Sequence, residues 1–150
     1  MKEKDWLSIL EMILENNCGD LITHSFLKDL FGLKVPIFEN FDSQVEFMEH
    51  LKDYEFAYLS MIDKLRTDLL KNYNVYLRNI RGDGYILLPA QEQTDFALKY
   101  INSGIKKAIS EGLNILQHTK LDGLTQEERQ KNSDSIARAS LLKQMIKMKD

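Results

Sequence analysis

The stretch VYLRNIRGDGYILL, residues 75–88, decides how this chain is expected to fold. It contains a short alternating run, a turn in which Gly82 and Gly84 flank Asp83, and a second apolar run that ends at Pro89. Two β-like segments joined by a glycine-containing turn are typical of a β-hairpin, because glycine readily adopts the positive φ angles that tight turns need. The sequence therefore predicts a hairpin over residues 75–88.

A long amphipathic helix is predicted directly before the hairpin, over residues 54–72. Apolar side chains recur in it at intervals of four, three and four residues, which places them on one inward side. These residues are Tyr58, Ile62, Leu65 and Leu69. Residues 64–82 also carry five cations against a single acid, Asp68. A local cationic patch of this kind favours contact with phosphates, because salt screens more distant charges.

The helix and the hairpin carry motifs that resemble those of a known family. Residues 62–66 read IDKLR and residues 80–85 read IRGDGY. They resemble the helix and hairpin motifs of the effector domains of OmpR/PhoB-type response regulators, and the resemblance covers about residues 58–88. It implies a winged helix-turn-helix in which 54–72 enters the DNA major groove and 75–88 is the wing. The family pattern has an apolar residue at the position of Asp83, and this chain has no receiver domain.

Nucleic-acid contacts are expected from this helix and wing, because cations and short polar groups bind phosphates and base edges. The expected contact residues are Lys64, Arg66, Thr67, Lys71, Arg78, Arg81 and Tyr85. Tyr85 is expected to cover the turn while its hydroxyl stays in water. An ordinary solvated helix face and a hairpin with solubilising arginines are the alternative interpretations of the same residues.

The preceding residues are expected to complete a winged-helix-like domain over residues 1–89. Helices are predicted over 5–16 and over 24–31, the second with Thr23 as its N-cap and Gly32 as its stop. A further helical stretch is predicted to begin at residue 42 or 43, separate from the helix over 54–72.

Residues 90–150 are predicted to form a second domain, a helical hairpin. A period close to 3.6 continues from Ala90 to His118, over about seven turns. Thr125 and Glu128 form a capping box for a last helix. Two such antiparallel helices make an αα-hairpin, and homo-oligomerisation is expected through residues 90–148. The predicted fold class is therefore mainly α with a small β-hairpin, an α+β arrangement.

Composition and charge limit the class of protein. The 150 residues are 43% hydrophobic and 29% charged, as in a soluble globular protein, and the formal net charge is −3. Residues 1–60 hold 5 Lys/Arg and 12 Asp/Glu, whereas residues 61–150 hold 15 and 11. The sequence shows no signal-peptide pattern and no membrane-spanning run, and it has one cysteine, so a cytoplasmic protein is expected.

No catalytic or metal-binding motif is recognisable. The histidines His24, His50 and His118 lack ligands at zinc-site spacing, and no nucleotide-binding loop or nucleophile motif occurs. The sequence therefore predicts a non-enzymatic protein with no cofactor and no metal.

Three functions fit these observations. The first is a dimeric transcriptional regulator that binds double-stranded DNA. The second is a protein-interaction module that binds and modulates a host or partner protein, which the acidic first 60 residues favour. The third is a structural subunit that assembles through its long helices. The layout also resembles that of small phage-encoded proteins.

Overall fold

The computed structural model describes residues 3–147, with side chains described from residue 6 to residue 146. The chain divides into two compact units, residues 1–93 and residues 94–150. Most described residues are helical, and one small antiparallel sheet has three strands. The predicted α+β class is confirmed at this level. Within the described residues, each helix is too short or too polar to cross a membrane.

The first unit contains three helices and all three strands. Its elements are α1 (Glu3–Leu14), β1 (Ile22–Thr23), α2 (His24–Leu30), a 3₁₀ turn (Phe38–Asn40), α3 (Gln44–Tyr73), β2 (Leu77–Ile80) and β3 (Gly84–Leu87). Strands β2 and β3 form the hairpin that the sequence predicted, and β1 pairs antiparallel with the other edge of β3. The strand order in the sheet is therefore β1-β3-β2.

The ends of α2 follow from local side-chain chemistry. The Thr23 hydroxyl oxygen accepts a hydrogen bond from the Phe26 N–H at 3.2 Å, which satisfies one free donor of the first turn. Gly32 has a φ of +68°, and the Leu33 N–H donates back to the Lys28 carbonyl at 3.0 Å. This is the Schellman arrangement that a left-handed glycine permits. Both predicted boundaries are confirmed.

The two helical stretches predicted after residue 42 are one continuous helix, α3, of 30 residues. Ser43 caps it, since its hydroxyl oxygen accepts the Glu46 N–H at 3.1 Å. Residues 44–73 contain no glycine or proline that would interrupt helical hydrogen bonding. The helix ends where Asn74 takes a left-handed conformation, with a φ of 58°. The prediction of a separate helix over 54–72 was therefore wrong.

The predicted inward residues of α3 are all buried, and we call Tyr58, Ile62, Leu65 and Leu69 the inner stripe. They belong to one hydrophobic core that also includes residues from α1, α2 and the sheet. Those partners include Trp6, Ile9, Leu10, Ile13, Ile22, Leu27, Phe31, Leu77, Tyr85 and Leu87. The core thus fixes α3 between α1 and the hairpin.

Two glycines make the hairpin and its contact with β1 possible. Gly82 lies in the three-residue loop between the strands with a φ of +87°, and the Asp83 N–H donates to the Ile80 carbonyl at 3.0 Å. Gly84 has a φ of +152° and lies against β1 so closely that an added Cβ would overlap the Ile22 carbonyl oxygen. Only glycine fits this contact without moving the backbone.

The second unit consists of two helices, and α4 begins a few residues before it. Helix α4 is Ala90–Gln117 and α5 is Gln126–Lys147. The capping box is confirmed, because the Glu128 N–H donates to the Thr125 hydroxyl at 3.2 Å and the Thr125 N–H donates to the Glu128 carboxylate at 2.8 Å. Those hydrogen bonds lower the pKa of Glu128. Residues 148–150, of which the first ends the predicted oligomerisation segment, lie outside the described residues.

The glycine contact predicts a large stability effect. We expect Gly84→Ala to lower the free energy of unfolding by about 2 kcal/mol or more, because the new methyl group meets backbone and the φ is strained. Gly82→Asn is the matched control, since nothing lies within 4 Å of an added Cβ there and Asn tolerates left-handed conformations. Urea unfolding of both variants measures this, and equal losses would show that the contact with β1 does not matter.

Candidate functional site

The cations of α3 do not form one face. Lys64 and Arg66 are two residues apart, so they project about 160° apart around the helix. The Lys64 ammonium lies 4.3 Å from the centre of the Trp6 ring, on the α1 side of α3. The Arg66 guanidinium lies 5.9 Å from the centre of the Tyr85 ring, on the hairpin side. The cations of the predicted patch are therefore divided between two sides of α3.

Lys71 and Thr67 are exposed, as predicted. Lys71 follows Lys64 by seven residues and so lies on the same side of α3. Asp68 shares that side, and its carboxylate accepts a hydrogen bond from the Trp6 indole N–H at 2.7 Å. A carboxylate among these cations weakens the positive potential that would attract a phosphate.

Tyr85 is a core residue, and the prediction that it lies at the surface was wrong. Its side chain is 5% exposed, on the central strand of the sheet. The His24 ring packs edge-on against it, with 5.4 Å between ring centres. The alternation of β3 places Tyr85 toward the core beside Leu87, and the turn does not carry it outward.

The wing carries cations that reach solvent. Arg78 on β2 is exposed, and so is Arg81 in the loop that follows. Asp83 is exposed in the same three-residue loop, so the loop has no net charge. The first unit as a whole, residues 1–93, holds 10 Lys/Arg and 16 Asp/Glu, a net charge of −6. Its overall charge therefore repels phosphate.

A second apolar surface follows the length of α3, outside the core. We call it the outer stripe, and its residues are Val45, Met48, Phe56, Leu59 and Leu70. They are 43–69% exposed. Met48, Leu59 and Leu70 are each eleven residues apart, close to three full turns, so they lie within about 40° of one another. Helix α3 is thus apolar on two sides, of which one is buried and the other faces water.

Acidic side chains accompany the outer stripe. Between residues 44 and 63, α3 carries five Asp/Glu and one Lys. Glu49, Asp53 and Asp63 are all exposed. Glu55 is engaged, since its carboxylate lies 3.6 Å from the Lys28 ammonium. Between residues 44 and 63 the stripe is therefore accompanied mostly by acids, and Lys52 is the one Lys in this range.

The segment before α3 adds further exposed apolar side chains. Val35, Ile37 and Phe38 are 51–61% exposed. The Phe38 ring packs edge-on against Phe47 of α3, with 5.4 Å between ring centres, and Phe41 also lies against Phe47 at 5.7 Å. These ring contacts hold the segment against the first turns of α3.

The described residues contain no group of three or more His, Cys, Asp or Glu side chains placed to hold a metal ion. Cys18, the one cysteine, is exposed. It lies in the turn after α1, beyond the apolar positions of that helix.

One polar contact inside the first unit was not foreseen. The His24 Nδ1 lies 2.7 Å from the Tyr58 hydroxyl oxygen, and the His24 ring contacts Tyr85 as well. Burial is the main cause that raises the pKa of Tyr58, followed by the neighbouring Tyr85 and Glu55. Burial also raises the pKa of Tyr85, against the smaller opposing effect of Arg66. The His24 ring is therefore held by the Tyr58 hydroxyl and packs against the Tyr85 ring of the hairpin.

The outer stripe was also missed from the sequence, although a signal was present. Val45 and Phe56 are eleven residues apart, as are the three residues from Met48 to Leu70. That recurrence crosses residue 54, where the sequence interpretation had separated two helices. It becomes visible only when residues 44–73 are taken as one helix.

No family model, no curated protein and no solved structure matches this chain. The resemblance to response-regulator effector domains therefore stays a prediction.

The raised tyrosine pKa values predict how stability depends on pH. A folded-state pKa above the unfolded value of about 10 gives stability that is complete below pH 10 and is lost as the pH rises above it. We expect Tyr58→Phe to reduce this alkaline loss, and to cost about 1 kcal/mol at pH 8 because the contact with His24 disappears. Urea unfolding at pH 8 and at a series of pH values above 10 measures both effects.

Tyr100→Phe is the matched control, because it removes a hydroxyl from a ring that is 72% exposed. If Tyr58→Phe lost stability with pH as steeply as the wild type does, Tyr58 would not contribute to the alkaline loss.

Proposed function

We propose that this chain is a non-enzymatic protein-interaction module, which binds a basic and partly apolar segment of a partner protein across the outer stripe of α3. One observation carries the proposal: five apolar side chains are exposed on the same helix whose inner stripe forms the core. Exposed apolar side chains on an ordered helix are typical of protein interfaces, where Phe and Met are enriched.

The size of the side chains supports useful affinity. Full burial of one Phe, Met or Leu side chain contributes about 1.5–3 kcal/mol. Phe56 is 67% exposed and Leu59 is 52% exposed, so most of their surface is still available for burial. They are three residues apart and therefore adjacent on the surface of α3, so a partner side chain can contact both, as in the few dominant contacts of known interfaces.

The charge around the stripe favours a cationic partner. Glu49, Asp53 and Asp63 are exposed along one edge of the stripe. A partner segment with Lys or Arg beside apolar residues would be attracted over distance and then bury its apolar side chains on the stripe. An acidic polymer such as DNA would meet repulsion at the same place.

The rigidity of α3 also supports binding. Its 30 residues extend over about 45 Å, and the inner stripe holds its second half in the core. The part of the outer stripe from Phe56 to Leu70 is therefore ordered before binding and loses little conformational entropy when the partner arrives.

The scaffold that presents this surface has the element order helix, strand, helix, helix, strand, strand. That order, with a hairpin at its end, supports the winged-helix arrangement that the IRGDGY motif implied. We propose that residues 1–93 are a winged-helix-like unit used to bind protein.

We expect a photo-crosslinker placed at Phe56 to capture a single partner protein in the cells that make this chain. Burial of the outer stripe in an interface would bring the partner within reach of that position. The same crosslinker at Glu11, which is exposed on α1, should capture no such partner. Mass spectrometry then identifies the product, and binding of the purified partner is measured by calorimetry.

Variants of the outer stripe decide whether the contact is specific. Phe56→Asp places a charge where the partner's apolar side chains would lie, and it should weaken binding by at least about tenfold. Ala57→Asp adds the same charge at an exposed position of α3 that projects about 100° from Phe56, away from the stripe, and should bind nearly normally. Equal effects of both variants would reject the outer stripe as the interface.

Binding of double-stranded DNA is a second candidate, supported by the exposure of Thr67, Lys71 and Arg81 on the helix and the wing. With the protein-binding proposal correct, we expect no retained duplex in gel-shift assays at about 50 mM salt. A shift that weakens steeply with salt, and that Lys71→Ala and Arg81→Ala reduce while Phe56→Asp does not, would instead favour a DNA-binding regulator.

A further inference from the structure

The exposed side of α4 has apolar residues at heptad spacing. From residue 94 to residue 115, seven positions alternate in steps of four and three: Thr94, Leu98, Ile101, Ile105, Ala108, Gly112 and Ile115. We call these positions the α4 seam. Leu98, Ile101, Ile105 and Ile115 are 42–70% exposed. A mean spacing of 3.5 residues is the pattern of helices that pack along a partner helix.

The seam is not the side of α4 that faces α5. The cleft shared by the two helices is lined on α4 by Lys106, Ile109 and Ser110, none of which belongs to the seam. On α5 it is lined by Lys143 and Ile146. The hairpin therefore leaves the seam open to water.

The second unit lacks a core of its own. Among its described side chains, Leu113 is the only buried apolar one. Helix α5 adds more exposed apolar surface through Leu141, Leu142 and Met145. Helices gain most of their stability from packing, and small helical units commonly obtain it by oligomerisation. A further helical surface over the seam would supply the missing burial.

We infer that the α4 seam is a self-association surface, on which a second copy of this chain packs to form a helical bundle. A symmetric dimer requires a surface that can face itself. On the helix surface the seam is flanked by the e and g positions of the heptad, which are residues 95, 97, 102, 104, 109, 111 and 116. These positions carry only two charges, Asp95 and Glu111, which are about 24 Å apart along the helix. Two copies can therefore meet without like charges stacked along the contact.

The backbone of α4 also permits close approach. Gly112 is a seam position and Gly104 is next to one, and an added Cβ at either glycine would meet nothing within 4 Å. Each glycine costs a helix up to about 1 kcal/mol against alanine, a cost that close helix packing would offset. A basic partner of the kind proposed for α3 would find few acids here, so the second copy is the better match.

The test is the oligomeric state of the full chain, measured by sedimentation velocity across micromolar concentrations with a reducing agent to keep the exposed Cys18 from forming disulfides. We expect the wild type to be a dimer. Ile105→Glu should raise the dimer dissociation constant at least about tenfold, because it places a charge within the seam. Tyr100→Glu is the matched control, since Tyr100 is 72% exposed on α4 but outside the seam, and it should remain a dimer.

A crosslinking measurement covers the case in which Ile105→Glu unfolds the second unit. In a Cys18→Ser background, Ile105→Cys should give covalent dimers with a bis-maleimide reagent, and Tyr100→Cys should give far fewer. A wild type that stays monomeric at all these concentrations would overturn the inference. So would equal crosslinking from the two positions. Neither result bears on the outer stripe of α3, so this inference and the proposed function fail independently.

Discussion

Burial of the inner stripe is the interaction on which the rest of the first unit depends. Ile62, Leu65 and Leu69 are at most 2% exposed, and each contributes about 1.5–3 kcal/mol of burial free energy. They pack with residues of α1 and of the hairpin, and this fixes which way every other side chain of α3 projects. The positions of the outer stripe and of the cations are consequences of that one orientation.

The same orientation explains why the cations of α3 do not lie on one side. Lys64 and Arg66 are close in the sequence, but they extend along opposite sides of α3 and each covers an aromatic ring. Long basic side chains commonly pack their aliphatic stems on apolar surface while the charge stays near water. In this chain they cover the edges of the core at Trp6 and Tyr85. Cations that are close together in the sequence therefore do not form a concentrated positive charge on the surface.

Features set by neighbouring residues were predictable from the sequence. The caps at Thr23 and Thr125, the left-handed Gly32 and the hairpin all depend on contacts within a few positions. Features set by distant contacts were not. Tyr85 is buried because its strand is the central one, paired with β1, and because the His24 ring packs against it; neither contact leaves a local pattern. The unbroken α3 was missed because its first turns are mostly exposed, with Val45 and Met48 facing water.

Because α3 is one continuous helix, its buried inner stripe and its exposed outer stripe must rotate together. The angle between the two stripes is set by 3.6 residues per turn, so a slip of one residue against α1 would swing the outer residues by about 100°. A core substitution beside Leu65 that leaves a cavity or adds a methyl group would have the same effect on a smaller scale, because it would rotate α3 by a few degrees about its axis. If the outer stripe is where a partner docks, natural selection for that docking also acts on buried positions that the partner never touches.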